Sequence, residues 1–305
     1  MAAATRFTEP SSVETWDACF RWRVADTLRD VTIEDTWLRV AQAVGGGPVS
    51  PWVGAYVEAF SNWRLLPDER LLRYAGTGDK PTENQAPCAM LNLGAFVHTA
   101  IGTARFDRDG FVATAALAVR LLDDAILATG LVPGDMGLRI GLIGAGDALR
   151  KLGLPYASPA ARDEMIQVAR ALAEGCLRGA IALAQERGPT AMGAAGSGLL
   201  ARWQHQGLPQ ELIEAGARHG VRHVRLTAIE RHPLLARLAN DASDALDALP
   251  VSTRTAREDM AELSEVTNAI REAIQPWIDE PMDGTAGKLA ALVRASRPVS
   301  GSAAQ

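Results

Sequence analysis

The feature that most constrains the fold is a helical repeat of apolar residues in two long segments of the 305-residue chain. An apolar residue recurs every three or four positions over residues 109–128, and the same repeat runs through residues 159–187. This spacing matches the helical period of 3.6 residues and places the apolar side chains on one face. Both segments are therefore predicted to be helices that face a core. Their stripes are Val112, Ala116, Val119, Leu122 and Ile126 in the first segment, and Met165, Val168, Leu172, Cys176 and Ala180 in the second.

The rest of the chain also favours helix, because alanine, leucine and arginine are abundant while runs of β-branched residues are sparse. Further helices are predicted over residues 10–44 (in two parts), 51–63, 234–249 and 255–279. Short strands are predicted at residues 70–79 and 221–229, and loops at residues 79–89 and 190–200. The expected fold is mainly α, with a few short strands. We expect one compact helical domain over residues 1–295, followed by a loose tail at 296–305.

Charge and composition exclude several classes of protein. The chain has 31 basic and 36 acidic residues and a formal net charge of −5, so it lacks the broad basic surface of a duplex nucleic-acid-binding protein. No run approaches the ~18 uninterrupted apolar residues of a membrane span. The first ten residues lack the basic start and apolar stretch of a secretory signal, so a cytoplasmic protein is expected.

Cysteine usage argues against a disulfide framework or a zinc site. Only three cysteines occur, and they are widely scattered. Cys19 and Cys176 lie on helical apolar stripes and are expected in the core, whereas Cys88 follows a polar segment and is expected to be an accessible thiol. We predict no metal site, and the residues do not identify a cofactor.

Residues 140–147 resemble the glycine-rich turn that binds dinucleotides, in which glycines let the backbone approach a pyrophosphate. Counting from Gly144, however, the third small position is occupied by Leu149. No second strand that ends in an acidic residue follows at the required distance. We therefore predict no nicotinamide or flavin site here.

Two other residue pairs could be mistaken for metal ligands. His219 and His223 would share a face only on a helix, and the glycine and β-branched residues around them favour a turn and a strand. They are interpreted as surface or partly buried histidines. Asp123 and Asp124 are adjacent on a predicted helix, where their side chains point about 100° apart, and they are interpreted as a solvated face.

Several weak motifs, in the same order along the chain, resemble the large subunit of the B12-dependent ribonucleotide reductases. One group is similar to the N-terminal part of that family and to the strand that opens its catalytic barrel. The other group is similar to much later segments of the family. The first group comprises residues 7–10, 31–41 and 65–78, and the second comprises residues 90–97, 106–107, 117–126, 139–149, 152–156, 208–249 and 270–278.

The departures from the family pattern bear on activity. The family carries most of its ten-stranded barrel between the positions of Gly78 and Leu91, where this chain has a dozen residues. The finger loop with the radical-forming cysteine has no counterpart. Reduction in that family requires three cooperating thiols, and here only Cys88 occupies a comparable place, as either member of the redox pair. The resemblance therefore implies a shortened relative that has lost ribonucleotide reduction.

The phosphate-binding loop of the family is also changed. Glu230, Arg231, His232 and Pro233 stand where the family has a Pro-Thr-Gly-Thr turn, so the glycine and hydroxyls of an anion-binding nest are missing. Two interpretations stay open. Arg231 and His232 bind an anion in a different way, or Arg231 forms a solvated salt bridge with Glu230 or another acidic residue.

These observations favour a repurposed small-molecule enzyme, with an anionic small molecule as its ligand. The alternative is a catalytically silent nucleotide-binding or regulatory partner of a reductase, and reductase activity itself comes third. A homodimer is expected, because the surface that packs on the barrel in the family must be covered here. The candidate catalytic residue is Cys88, and the candidate substrate-binding residues are Asn92, Arg139, Glu230, Arg231 and His232.

Overall fold

Helices dominate the computed structural model, which describes residues 4–79, 86–100, 102–128, 137–191, 193–194, 196–249 and 258–282. The helices in these ranges are α1 (Pro10–Cys19), α2 (Ile33–Val44), α3 (Trp52–Ser61), α4 (Glu69–Tyr74), α5 (Arg108–Ala128), α6 (Ala145–Lys151), α7 (Pro159–Arg187), α8 (Ser197–His205), α9 (Gln210–His219), α10 (Pro233–Leu238) and α11 (Glu258–Ile274). The strands are β1 (Arg23–Val24), β2 (Thr27–Leu28), β3 (Leu65–Pro67), β4 (Cys88–Asn92), β5 (Val97–Ala100), β6 (Thr103–Phe106) and β7 (Arg139–Ile143). The mainly α prediction is confirmed, and the strands within these ranges form no closed barrel.

The two long predicted helices are confirmed and form the centre of the fold. Helix α7 begins at Pro159, after Ser158, whose hydroxyl accepts a hydrogen bond from the Ala161 N–H at 3.1 Å. It ends before Gly188, whose φ of +82° favours glycine. Helix α5 packs along α7, and glycines of α7 bring the two backbones close together. A Cβ atom placed on Gly175 would lie 2.5 Å from the Val112 carbonyl oxygen.

A small mixed sheet packs against α5. Strand β4 pairs antiparallel with β3 and parallel with β7, with Cys88 opposite Arg139 at the start of the parallel pair. Beyond β7, Thr227 forms a single parallel bridge with Ile140. All residues of β3 and β4 are buried, so the chain itself covers both faces of these strands. The homodimer stays a prediction, but these strands present no uncovered face that would require one.

Two strand predictions are wrong. Residues 70–79 contain most of α4, because Asp68 caps the helix by accepting the Arg70 N–H at 2.7 Å, and a turn follows. Residues 221–229 run beside β7, but only Thr227 forms a β-bridge with it. Few backbone hydrogen bonds join the two segments. These bonds join Leu138 N–H to Arg225 O, Ile140 N–H to Leu226 O, and Ala228 N–H to Ile140 O.

Other boundaries differ from prediction more modestly. The helix predicted at 234–249 ends at Leu238, and the one predicted at 255–279 ends at Ile274 before a 3-10 turn. The predicted loop at 190–200 gives way to α8 at Ser197, and the loop at 79–89 ends where β4 begins. Residues 80–85 and the predicted tail at 296–305 lie outside the described residues.

The first helix packs on a late part of the chain. Helix α1 contacts α10, and the Ser12 hydroxyl donates to the Arg237 carbonyl oxygen at 2.6 Å. Just before α1, the Thr8 N–H donates to Asn240 Oδ1 at 2.8 Å. The N-terminal helices are thus joined to residues more than 200 positions away. None of the helices in the ranges given above is both long and apolar enough to cross a membrane.

Candidate functional site

Three of the sequence-predicted residues meet where the parallel strands begin. Cys88 and Arg139 are register partners in β4 and β7. The guanidinium group of Arg139 binds the Glu230 carboxylate through two nitrogens, with Nε donating to Oε2 at 2.9 Å and Nη2 donating to Oε1. We call Cys88, Arg139 and Glu230 the strand-edge site.

The Cys88 thiol is buried, so the prediction of an accessible loop thiol is wrong. Cys88 is the first residue of β4 and is 8% exposed, and its backbone N–H donates to Asp68 Oδ2 at 3.1 Å. Burial raises the pKa of this thiol well above its usual value, and the nearby Asp68 carboxylate raises it further. Since the thiolate is the nucleophile, Cys88 is poorly suited to covalent or redox chemistry in this state.

Asp68 is held in its ionised form beside Cys88. Burial alone would raise the pKa of Asp68, but hydrogen bonds and charge from Arg70 lower it below its usual value. The closest contact joins Arg70 Nη2 to Asp68 Oδ2 at 2.5 Å. The negative charge next to the thiol is therefore permanent at neutral pH, and it opposes thiolate formation.

Asn92 lies at the opposite end of β4, roughly 13 Å from Cys88 at the usual rise per strand residue. Its Oδ1 accepts the Gly94 N–H at 3.2 Å. The same oxygen faces Gly144, where a Cβ atom would clash with it and where φ is +75°. Asn92 therefore packs against the turn between β7 and α6 and is separate from the strand-edge site.

This turn is the segment that resembles a dinucleotide-binding loop. Two of its backbone donors already have partners inside the chain. The Gly144 N–H donates to the Ser243 carbonyl oxygen at 2.7 Å, and the Gly146 N–H donates to Ser243 Oγ at 2.9 Å. The position that would accept a pyrophosphate is therefore filled by Ser243.

Arg231 and the His232 backbone bind acidic residues other than Glu230. Arg231 pairs with Asp244 through Nε at 3.2 Å and with Asp247 through Nη2 at 2.7 Å, and the His232 N–H donates to Asp244 Oδ1 at 2.7 Å. The Arg231 side chain is 64% exposed. The geometry matches the salt-bridge interpretation, with Asp244 and Asp247 rather than Glu230 as the acidic partners.

The prediction of a solvated face at Asp123 and Asp124 is wrong. Their side chains are 0% and 7% exposed, because every residue of α5 from Arg120 to Ile126 is buried. Arg187, the last residue of α7, binds both carboxylates. Its Nη1 lies 2.5 Å from Asp123 Oδ2, and its Nη2 lies 2.5 Å from Asp124 Oδ1.

More groups complete this buried cluster, which we call the α5–α7 ionic network. The Tyr56 hydroxyl of α3 donates to Asp124 Oδ2 at 2.6 Å. His223 Nε2 lies 2.7 Å from Asp123 Oδ1, so the prediction of a surface or partly buried histidine is wrong for His223. Arg222 Nε lies 3.3 Å from Asp123 Oδ1. The members of the network are Tyr56, Asp123, Asp124, Arg187, Arg222 and His223.

Neighbouring basic groups keep Asp123 ionised. Burial alone would raise the pKa of Asp123, but bonds from His223 and Arg187 lower it to about 2. Burial and the Asp124 carboxylate raise the pKa of Tyr56. Two carboxylates thus face two guanidinium groups, and the Tyr56 hydroxyl stays protonated. The network holds helices together rather than presenting an open reactive group.

A signal for this network was present in the sequence. Asp123 lies four residues after Val119 and seven after Ala116, which places it on the apolar stripe of α5. A carboxylate on a core-facing stripe requires a buried partner. The partners could not be identified, because Arg187 and His223 are 64 and 100 residues away.

The other thiols lie in different elements of the fold from Cys88. Cys19 ends α1, and Cys176 is fully buried within α7, where burial raises its pKa. Cys176 lines a small cavity together with Trp277 and Asp279. All three cysteines are free thiols. Within the described ranges, no group of three or more histidine, cysteine or acidic side chains could hold a metal ion.

Comparison with known proteins supports the resemblance seen in the sequence. The family model of the ribonucleotide reductase barrel domain matches residues 79–230. This segment carries β4, α5, β7, α6 and α7, and it includes every member of the strand-edge site. No curated protein matches the sequence. Through residues 79–230, the protein is therefore related to the ribonucleotide reductases.

Proposed function

We propose that this relative of the ribonucleotide reductases has lost ribonucleotide reduction and acts by binding an anionic small molecule such as a nucleotide. The observation that carries the proposal is the state of Cys88. It is a buried thiol with a raised pKa, and the Cys88 backbone N–H donates to the Asp68 carboxylate beside it. By resemblance, reduction requires three cooperating thiols, but Cys19 lies in α1 and Cys176 in α7, whereas Cys88 lies in β4.

The geometry of the site favours a binding protein over an enzyme. A catalytic nucleophile or general base must be reachable and in the correct protonation state. The thiol of Cys88 is neither exposed nor ionised. The charged groups around it already bind each other, since Arg139 pairs with Glu230 and Arg70 pairs with Asp68.

The resemblance to the B12-dependent type implies adenosylcobalamin, a source of radicals that would react with a cysteine thiol. The residues of this chain do not fit that role. The strand-edge thiol is buried and hydrogen-bonded to an acidic neighbour, and the finger loop of the family has no counterpart in the sequence. The strand-edge site is therefore unsuited to radical chemistry started by adenosylcobalamin.

An activity assay tests the loss of reduction. The purified protein is incubated with ribonucleoside diphosphates or triphosphates, adenosylcobalamin and a dithiol, and deoxynucleotides are separated by chromatography. We expect no product above the no-enzyme control. Product formation that disappears in Cys88→Ser would overturn the proposal.

A binding measurement separates the two roles that remain. We expect calorimetric titration to detect binding of a nucleoside diphosphate or triphosphate without its conversion to product. Absence of binding for all of them would reject the nucleotide-binding role. Conversion to a product other than a deoxynucleotide would instead establish the repurposed enzyme.

A further inference from the structure

We infer that Arg139 is the group that binds a phosphate at the strand-edge site, and that Glu230 occupies Arg139 as an internal competitor when the phosphate is absent. The inference rests on the proposed function, because it names the ligand group and the contact that controls its binding. It makes the Arg139–Glu230 pair an autoinhibitory contact that a phosphate-bearing ligand displaces.

The two partners differ in how firmly the fold holds them. Arg139 is fixed in β7, where it pairs with Cys88, and its N–H donates to the Pro87 carbonyl oxygen at 3.2 Å. Glu230 lies beyond the last backbone bond to β7, which is made by Ala228, and it precedes α10 in a stretch without helix or strand. The arginine can therefore stay in place while the carboxylate moves away.

The geometry and exposure of the pair suit exchange for a phosphate. The guanidinium group binds two oxygens of Glu230 side by side, which is the arrangement it also forms with phosphate. The side chains are 34% and 44% exposed, so solvent screens the pair and a ligand can reach it. A phosphate carries up to two charges against one on the carboxylate, which favours its binding.

Neighbouring arginines are less suited to this role. Arg70 is held by the nearly buried Asp68 and also donates to the Ala86 carbonyl oxygen at 3.1 Å. Arg231 is bound by two carboxylates. By contrast, the side-chain bonds that Arg139 makes to the described residues all go to Glu230.

The experiment compares inorganic phosphate binding by calorimetry in the wild-type protein and three variants. Glu230→Gln removes the competing charge and keeps the shape of the side chain. The variant that combines Glu230→Gln with Arg139→Gln also removes the proposed binding group. Glu280→Gln is the matched control, because Glu280 pairs with the exposed Arg225 at 3.4 Å rather than with Arg139.

We expect Glu230→Gln to bind phosphate at least tenfold more tightly than the wild type. The double variant should lose this gain, and Glu280→Gln should bind as the wild type does. Equal binding by Glu230→Gln and the wild type would overturn the inference. So would tight binding by the double variant, or an equal gain in Glu280→Gln.

Two further measurements keep the test decisive. Circular dichroism and melting temperature show whether each variant is folded. The side-chain Nε–H resonance of Arg139 in the wild type should shift as phosphate is added, and an unchanged resonance at saturating phosphate would reject the site without any variant. Ribonucleotide reduction by the wild type would contradict the proposed function. If no reduction is detected and Glu230→Gln binds phosphate no more tightly than the wild type, this inference alone is contradicted.

Discussion

Replacing Asp123 by asparagine should lower the free energy of unfolding by about 3 kcal/mol at pH 7, because it breaks a buried ion-pair network. Asp123 accepts bonds from Arg187 at 2.5 Å and Arg222 at 3.3 Å, and it lies 2.7 Å from His223. The asparagine has a similar shape but no charge. It leaves two guanidinium groups opposite one carboxylate in a buried site.

The pKa of Asp123 gives an independent magnitude. The difference between about 2 in the folded protein and the ordinary value of 3.8 corresponds to about 2 kcal/mol of stabilisation. A carboxylate whose pKa is lowered by folding contributes this stability fully above its unfolded pKa. The contribution is lost as the pH falls from about 5 towards 2. The wild-type protein should therefore lose more stability than Asp123→Asn over this range.

Urea unfolding followed by circular dichroism measures both effects, at pH 7 and at steps down to the lowest pH at which the protein is folded. Asp17→Asn is the control. Folding also lowers the pKa of Asp17, but its side chain is 43% exposed and its partner Arg23 is 42% exposed. Because solvent screens these exposed pairs, this control should lower stability much less than Asp123→Asn does. An equal, small loss in both variants would refute the stabilising role of the network.

Two other predictions concern packing and the thiols. Gly175→Ala should lower stability by about 1–3 kcal/mol, because its Cβ would lie 2.5 Å from a carbonyl oxygen of α5, and a melting curve would measure this. Gly198→Ala in α8, where the added Cβ meets no atom within 4 Å, should not destabilise the protein, and an equal loss in both variants would contradict the packing argument. In native protein, iodoacetamide should modify the partly exposed Cys19 faster than Cys88, as measured by mass spectrometry. Equal native rates would show that the burial and raised pKa of Cys88 do not protect it.

The long helices could be predicted because their determinants are local. The apolar stripes of α5 and α7 follow the helical period, and Ser158 and Gly188 mark the ends of α7. The strand predicted at 70–79 failed for a reason that is also local. Asp68 supplies an N-cap for α4, and this cap outweighs the strand-like appearance of the segment.

The candidate site was predictable only in part. Sequence order and resemblance placed Cys88, Arg139 and Glu230 in one region, and the structure brings them together. Sequence order and resemblance could not show which basic side chain each carboxylate would bind, because such pairing depends on contacts between distant segments. Arg139 and Glu230 are 91 residues apart. The prediction for Asp123 failed for the same reason, since its partners come from the end of α7 and from the segment after α9.

The packing of α1 on α10 has a consequence for synthesis of the chain on the ribosome. Domains fold as their segments emerge, starting from the N-terminus. The surface of α1 that receives α10 stays unoccupied until residue Asn240 and its neighbours have left the exit tunnel. For most of translation, the nascent chain therefore exposes this surface of α1, which chaperones at the ribosome can bind.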